Sequence, residues 1–404
     1  VLAGGVTTVL LTLGRLPKAL ELARSLHAAG CRVIVAEPFH WHVCRLSRAV
    51  ARSYRTVSPN RDLRRYQGEL IDVIIREQVD LVVPISEEVV HVLPIEARLP
   101  DGVRIFSPPA STLVALHDKL SFARMASDFA LEVPTTYALE DPRARELALA
   151  GQYVVKPAHG CSGIGMQIRA RGTPLPAPGH HGRHVVQRFV NGDQVSTFSI
   201  AYQGVTRTTV IYRGKVYSRT VAVCFERVPE LACVTDWIER FVARAGISGF
   251  ISFDFIIEGG RAQAIECNPR LTSGVHFLAS DYLAAAVLAP DQTPPVSFRD
   301  QQLLQQFYTM LTRLCANLTR PRQFQRCLAN LLRARDVVWT WRDPLPFLLM
   351  GPACSEILAA MLFEGRSFSE AVMRDIAWFD EATPGGTPGD ENTGPEPVRR
   401  GAHE

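Results

Sequence analysis

One apolar run ends in AIECNPRLTSGVH (264–276), which sets an acid, an amide and a guanidinium at alternate positions: Glu266, Asn268 and Arg270. Residues i, i+2 and i+4 of a strand share a face, so the three point one way if the strand runs on past Pro269. The preceding run, FISFDFII, is joined to it by EGG (258–260), a good hairpin turn. Its one charge is Asp254, which the hairpin would set across from Glu266. Two carboxylates and an amide oxygen form a hard-oxygen set suited to Mg²⁺, and a guanidinium beside them suits a phosphate. A solvated hairpin with scattered polar residues is the competing reading, and the rest of the chain decides between them.

Three more segments carry types that handle phosphates. Lys156 ends YVVK, just before Pro157 and the loop GCSGIG (160–165). Backbone N–H groups of such a loop wrap phosphates while a neighbouring lysine supplies point charge. Because the lysine precedes the loop, the spacing is not that of a P-loop NTPase. Lys119 sits in HDKLSFAR on a predicted helix, where a lone lysine is ordinarily solvated. VVQRFVNGDQ (185–194) reads as a strand running into a polar turn, able to offer backbone groups to an adenine and a side chain to a ribose.

These residues need elements to hold them. TVLLTL and RVIVAE read as buried strands, ALELARSLHAAG as a helix closed by Gly30, and YQGELIDVIIREQ with DLVVPIS as a second helix–strand pair. The alternation predicts a small parallel α/β sheet over 1–110. Its first turn, TLGRLPK, lacks the GxGxxG fingerprint, which argues against a dinucleotide role. STLVALHDKLSFARMASDFAL is predicted helical, capped by Ser111 or Thr112. Short strands with Gly-containing turns then dominate, predicting an antiparallel α+β region. Residues 286–380 are mostly helical, from QQLLQQFYTMLTRLCANL onward, interrupted by DVVWTWRDPLPFLL. The Pro/Gly-rich stretch 381–404 has no apolar anchors and is expected to be disordered.

Composition excludes some classes. With 47% hydrophobic and 21% charged residues the chain is expected to be globular with real cores, and a net charge of +4 leaves no large basic surface for nucleic acid. Nine cysteines lie scattered without a CxxC pair, as expected for reduced thiols in the cytoplasm rather than a zinc site or disulfide frame. No apolar stretch reaches the length of a membrane span. The three histidines of the loop RARGTPLPAPGHHGRH (180, 181, 184) lack metal-ligand spacing and read as solvated.

Taken in order, DK at 118–119, VVKP with its Gly loop, VVQRFVNG, FDF at 253–255 and ECNPR at 266–270 resemble the ATP-grasp superfamily over residues 111–285. The resemblance implies a pre-ATP-grasp α/β domain (1–110), an ATP-grasp fold whose lobes (about 111–187 and 188–285) clamp ATP, and a C-terminal helical region. It implies that Lys119 and Lys156 contact phosphates and that the loop with Gly160, Ser162, Gly163 and Gly165 closes over them. Gln187, Phe189 and Val190 would form the adenine hinge, with the ribose group near Asp193 or Gln194. Asp254, Glu266 and Asn268 would hold Mg²⁺, and Arg270 would steady the transferred phosphoryl. Many relatives have glutamate where Gln187 stands, so the specificity for the nucleotide is less defined than its binding.

The implied reaction phosphorylates a carboxylate, after which an amine such as an amino acid displaces phosphate. In RLTSGVH the polar Thr272, Ser273 and His276 would line the acceptor side, with His276 as a base or orienting group, or alternatively in a structural bond. Arg213 and Arg219 are further candidates to clamp a substrate carboxylate, and CFERV could add Glu226 and Arg227 to the cleft. A narrower resemblance, in LPKALELARSLHAAGCRVIVAE, IECNPR and WRDPLPFL, is to the ligases of mycosporine biosynthesis, which activate an enol oxygen. The expectation is a ligase of specialised metabolism acting on small molecules. Competing readings are a non-catalytic ATP-binding module and a helical interaction protein. The apolar faces of 286–380 would pack on the core or form a homodimer interface, their arginines solvated.

Overall fold

The computed structural model describes residues 6–160, 163, 165–177, 183–218, 221–364 and 371. Two compact units emerge, one from Val1–Pro134 with Val190–Trp378, the other holding Thr135–Phe189.

The larger unit opens with a parallel sheet, as the alternation predicts. Its elements are β1 (Thr8–Leu11), α1 (Pro17–Ala28), β2 (Arg32–Glu37), β3 (Arg52–Arg55), α2 (Leu63–Glu77), β4 (Leu81–Val83), α3 (Val89–Val92) and β5 (Arg104–Ile105), with strand order β3-β2-β1-β4-β5. β1 and β4 are buried along their whole length, which is why they read as unbroken apolar runs rather than alternations. Pro17 starts α1, where a missing N–H costs nothing, and Gly30 turns the chain out of it at φ 86°.

Residues 111–131 depart from the expected single helix. They form α4 (Ala110–His117) and α5 (Lys119–Asp128), broken at Asp118, whose carboxylate accepts from the Ser121 N–H at 2.6 Å. The cap expected at Ser111 or Thr112 is displaced, because Pro109 already sets the entry and Ala110 begins the helix. Asp118 is the better cap: its backbone is extended and its side chain reaches a first-turn donor.

The smaller unit has β6 (Thr136–Ala138), α6 (Pro142–Ala150), β7 (Tyr153–Pro157), β8 (Gln167–Arg169) and β9 (His184–Arg188). Its sheet runs β6-β9-β7-β8, antiparallel throughout.

In the larger unit the chain continues through β10 (Asp193–Tyr202), β11 (Val205–Ser218), β12 (Val221–Arg227), α7 (Ala232–Ala245), β13 (Gly249–Glu258), β14 (Arg261–Asn268) and α8 (Ser280–Leu288). Then follow β15 (Leu303–Gln305), α9 (Phe307–Ala316), α10 (Pro321–Arg333), β16 (Arg335–Asp336) and α11 (Leu345–Glu364). Seven strands form one sheet, β14-β13-β10-β11-β12-β15-β16. Leu303–Gln305 was expected to be helical. Instead it pairs with β12, Phe225 opposite Leu304, because burying Leu304 against the sheet outweighs the local helical pattern. Likewise α11 begins at Leu345, inside the segment expected to interrupt the helices. One apolar cluster joins the two sheets of this unit: Val9, Leu11 and Leu20 pack in the same core as Phe198, Phe250 and Phe277.

The cysteines described here are all free thiols, and no described helix is long and apolar enough to cross a membrane. Residues 381–404, expected to be disordered, lie outside the described residues, as do Cys161, Ser162, His180, His181 and Arg219.

Candidate functional site

The β13–β14 hairpin turns at Gly259 (φ 56°) and Gly260 (φ 78°), both in the left-handed region that its two-residue turn requires. That turn fixes the register: Asp254 faces Glu266 and Ser252 faces Asn268, with a bulge just after Asp254. Asp254 accepts from the Ser196 hydroxyl at 2.5 Å and from the Asn268 amide at 3.3 Å. Arg270 donates to the Asn268 side-chain oxygen at 3.0 Å, and its Nε lies 2.5 Å from Glu87 Oε1. The strand end thus presents two carboxylates and an amide held by a guanidinium. Among the described residues no group of three or more His, Cys, Asp or Glu is placed to hold a metal. Asp254 and Glu266 stand opposite each other in the hairpin, with Asn268 two residues on from Glu266.

Glu87 was not foreseen. It follows β4, is 3% exposed, and lies 3.0 Å from His117 Nε2 as well as against Arg270. Burial alone would raise its pKa, but His117 and Arg270 outweigh that and hold it at about 2. Beside it Lys18 donates to the Leu271 carbonyl at 2.6 Å and the Ser86 hydroxyl at 3.2 Å. The available signal was positional: PISEEV leaves the carboxyl end of a parallel strand, where open α/β sheets place their sites.

In the smaller unit Lys156 is 6% exposed and donates to Gln187 Oε1 at 3.0 Å. Gln187 in turn donates to the Thr136 hydroxyl at 2.9 Å. A neutral amide therefore orients the ammonium from one side. Gly160 (φ 133°) and Gly165 (φ 75°) bound the glycine loop in conformations that side chains rarely adopt. Phe189 donates its N–H to the Gln152 carbonyl.

The remaining expected residues fall in the larger unit. Lys119 is buried at the start of α5, Val190 is buried, and Gln194 is exposed on β10. His276 is 2% exposed, its Nδ1 3.0 Å from Glu21 of α1. Glu21 also pairs with Arg299. Burial would raise the Glu21 pKa, but the His276 bond and the Arg299 charge hold it low. His276 thus occupies the structural bond given as the alternative rather than an open acceptor face. Arg213 pairs across strands with Glu226, which also takes Lys215. The Arg227 guanidinium lies 4.6 Å from the Phe298 ring centroid. Thr272 bonds Ser252 at 3.0 Å.

Residues 116–274 match the sequence profile of the ATP-grasp domain. This stretch is an ATP-grasp domain. No curated protein sequence matches the chain significantly. Solved structures share its fold at low identity. The biotin carboxylase domain of Hydrogenobacter thermophilus 2-oxoglutarate carboxylase, a dimer complexed with MgADP, ADP and bicarbonate, is 13% identical. It covers 70% of this chain and 69% of its own, with a TM-score of 0.56. N5-carboxyaminoimidazole synthetase from Staphylococcus aureus is 12% identical, covering 78% and 86% at 0.58. L-amino acid ligase from Bacillus licheniformis is 14% identical, covering 72% and 78% at 0.54. Lys119, Lys156, Gln187, Asp254, Glu266, Asn268 and Arg270 all fall within the ATP-grasp stretch, whereas Lys18 and Glu87, which brace its strand end, lie outside it.

Proposed function

We propose that the chain is an ATP- and Mg²⁺-dependent ligase. It would activate a small-molecule carboxylate as an acyl phosphate and join it to an amine such as an amino acid, in the biosynthesis of specialised metabolites. The observation that carries this reading is the β14 end, where Asp254, Glu266 and Asn268 share a face with Arg270, itself anchored to a buried carboxylate. Phosphoryl transfer asks little covalent chemistry of a protein and much positioning and charge neutralisation. Bound Mg²⁺ would neutralise phosphate charge, with Asp254, Glu266 and Asn268 holding it.

In this reading Lys119 and Lys156 bind phosphates, Gln187 aims Lys156, and Phe189, Val190 and Gln194 meet the nucleoside. The glycines 160, 163 and 165, with Ser162, close over the phosphates. Arg270 holds the transferred group. A carboxylate oxygen attacks the γ-phosphorus and the bond to ADP breaks. The amine then attacks the acyl carbon, phosphate leaves, and the nitrogen loses a proton. Excluding water protects the acyl phosphate between those steps. His276, buried on Glu21, positions the turn after Arg270. The structures of similar fold support the reading, one complexed with MgADP and another an amino-acid ligase.

The test is Mg²⁺-dependent ADP and phosphate release across a panel of organic acids and amino acids, run beside Lys156→Ala and Glu266→Ala. Amine-dependent ADP release, reduced on the order of a hundredfold or more by each substitution, is expected. AMP with pyrophosphate as products would overturn the acyl-phosphate step.

A further inference from the structure

The larger unit contains a cleft of about 710 Å³ that none of the ATP-grasp residues lines. One face of α1 from Glu21 to His27, Arg48 with Ala49, Ser280, the segment 298–301 and residues within 335–343 form its walls. That volume suits enclosure of a small organic molecule.

Its acids are almost all committed to the protein. Glu21 is held by His276 and Arg299. Asp336 accepts the N–H groups of Phe307, Val338 and Trp339 at 2.7–2.8 Å. Asp343 accepts from Arg24 at 3.0 Å, the Ser47 hydroxyl at 2.6 Å and the Arg48 N–H at 3.1 Å. Asp300 is the one lining acid outside these networks. By contrast Arg48, Arg335 and Arg342 line the same cleft with exposed side chains that have no ion-pair partner among the described residues. Three uncommitted guanidinium groups therefore converge on a concavity whose negative charge is largely spent internally. Trp339 and Phe298 add apolar wall.

We propose that this cleft binds a compact organic polyanion, a small di- or tricarboxylate or a phosphate ester. Guanidinium forks match carboxylate and phosphate oxygens two at a time, and a concave site concentrates their field. Arg48, Arg335 and Arg342 take the anionic groups, and Trp339 takes the carbon body. None of the proposed nucleotide or metal residues lines the site, and its one link to the ligase reading is Glu21, which holds His276.

The experiment is calorimetric titration of the full chain with citrate and, separately, inorganic pyrophosphate, in metal-free buffer. The triple variant Arg48→Ala/Arg335→Ala/Arg342→Ala and the single variant Lys156→Ala are titrated alongside. Saturable binding of at least one probe is expected, unchanged in Lys156→Ala and weakened at least about tenfold in the triple variant. The preferred probe separates a carboxylate from a phosphate ligand. Arg342→Glu, an exposed change outside any helix or strand, repeats the test on an undisturbed fold. Absence of saturable binding by both probes overturns the proposal, as does binding that the arginine variants retain.

Discussion

Glu37→Ala is expected to destabilise the larger unit by roughly 3–5 kcal/mol, the scale for stripping the partner from a buried charge. Glu37 ends β2 and is fully buried. It accepts the N–H groups of Gly14 at 2.8 Å, Arg15 at 2.9 Å and Phe39 at 3.0 Å, and the Arg15 Nε at 2.8 Å. Burial would raise its pKa, but the Arg15 guanidinium more than compensates and keeps it low. The arginine side chain is only 4% exposed and lies against the Phe39 ring. Removing the carboxylate leaves that cation and three donors in a dry site. The urea midpoint of the larger unit's transition reads the effect. A shift worth less than about 1 kcal/mol, the scale of a surface pair, would mean that water reaches the pair.

Arg270→Ala is expected to lower ATP turnover on the order of a hundredfold or more, since its charge faces the proposed phosphoryl position, and also to raise the pH of acid unfolding. The second effect comes from Glu87. Its pKa in the folded chain, about 2, lies below its ordinary 4.5. Between those values the folded state binds fewer protons than the unfolded state. Its stabilisation is therefore complete above about pH 4.5 and lost as pH falls toward 2, on the order of 3 kcal/mol in all. Without Arg270 the carboxylate keeps His117 and the weaker Lys18 charge, its pKa climbs, and the loss begins at higher pH. Glu88, raised by burial, titrates in the opposite sense, so the informative quantity is the difference between variant and wild type. Tryptophan fluorescence during acid titration measures it. Coincident acid limbs would show that the Arg270–Glu87 contact does not hold the carboxylate charged.

What could be read from the sequence was local. The GG turn dictates the hairpin register, and alternation then dictates which side chains share a face, so Asp254, Glu266 and Asn268 could be grouped from spacing alone. Buried parallel strands announced themselves through unbroken apolar runs such as RVIVAE. What escaped depends on partners far away in the chain. Glu87 meets Arg270 across 183 residues, and nothing near PISEEV marks its acid as buried. His276 looked polar and available because its partner, Glu21, stands 255 residues earlier. The strand at Leu303–Gln305 was hidden because its helical pattern is locally sound and only the edge of β12 changes its outcome.

The smaller unit begins and ends on neighbouring strands: Thr136 of β6 pairs with Gln187 of β9. Entry and exit of its chain therefore lie about 5 Å apart. A segment with adjacent ends behaves as a cassette. Residues 136–187 are expected to be excisable and replaceable by a linker of about two glycines, which spans that gap. The apolar clusters of the larger unit draw no residue from the segment, so they stay whole. Size-exclusion chromatography and cooperative thermal unfolding of the shortened chain would check this, with a molten or aggregated product counting against it. If it folds, the anion cleft and the Arg270 anchor survive in a scaffold that has lost Lys156, and a lobe from another ATP-grasp protein could be grafted at the same two positions.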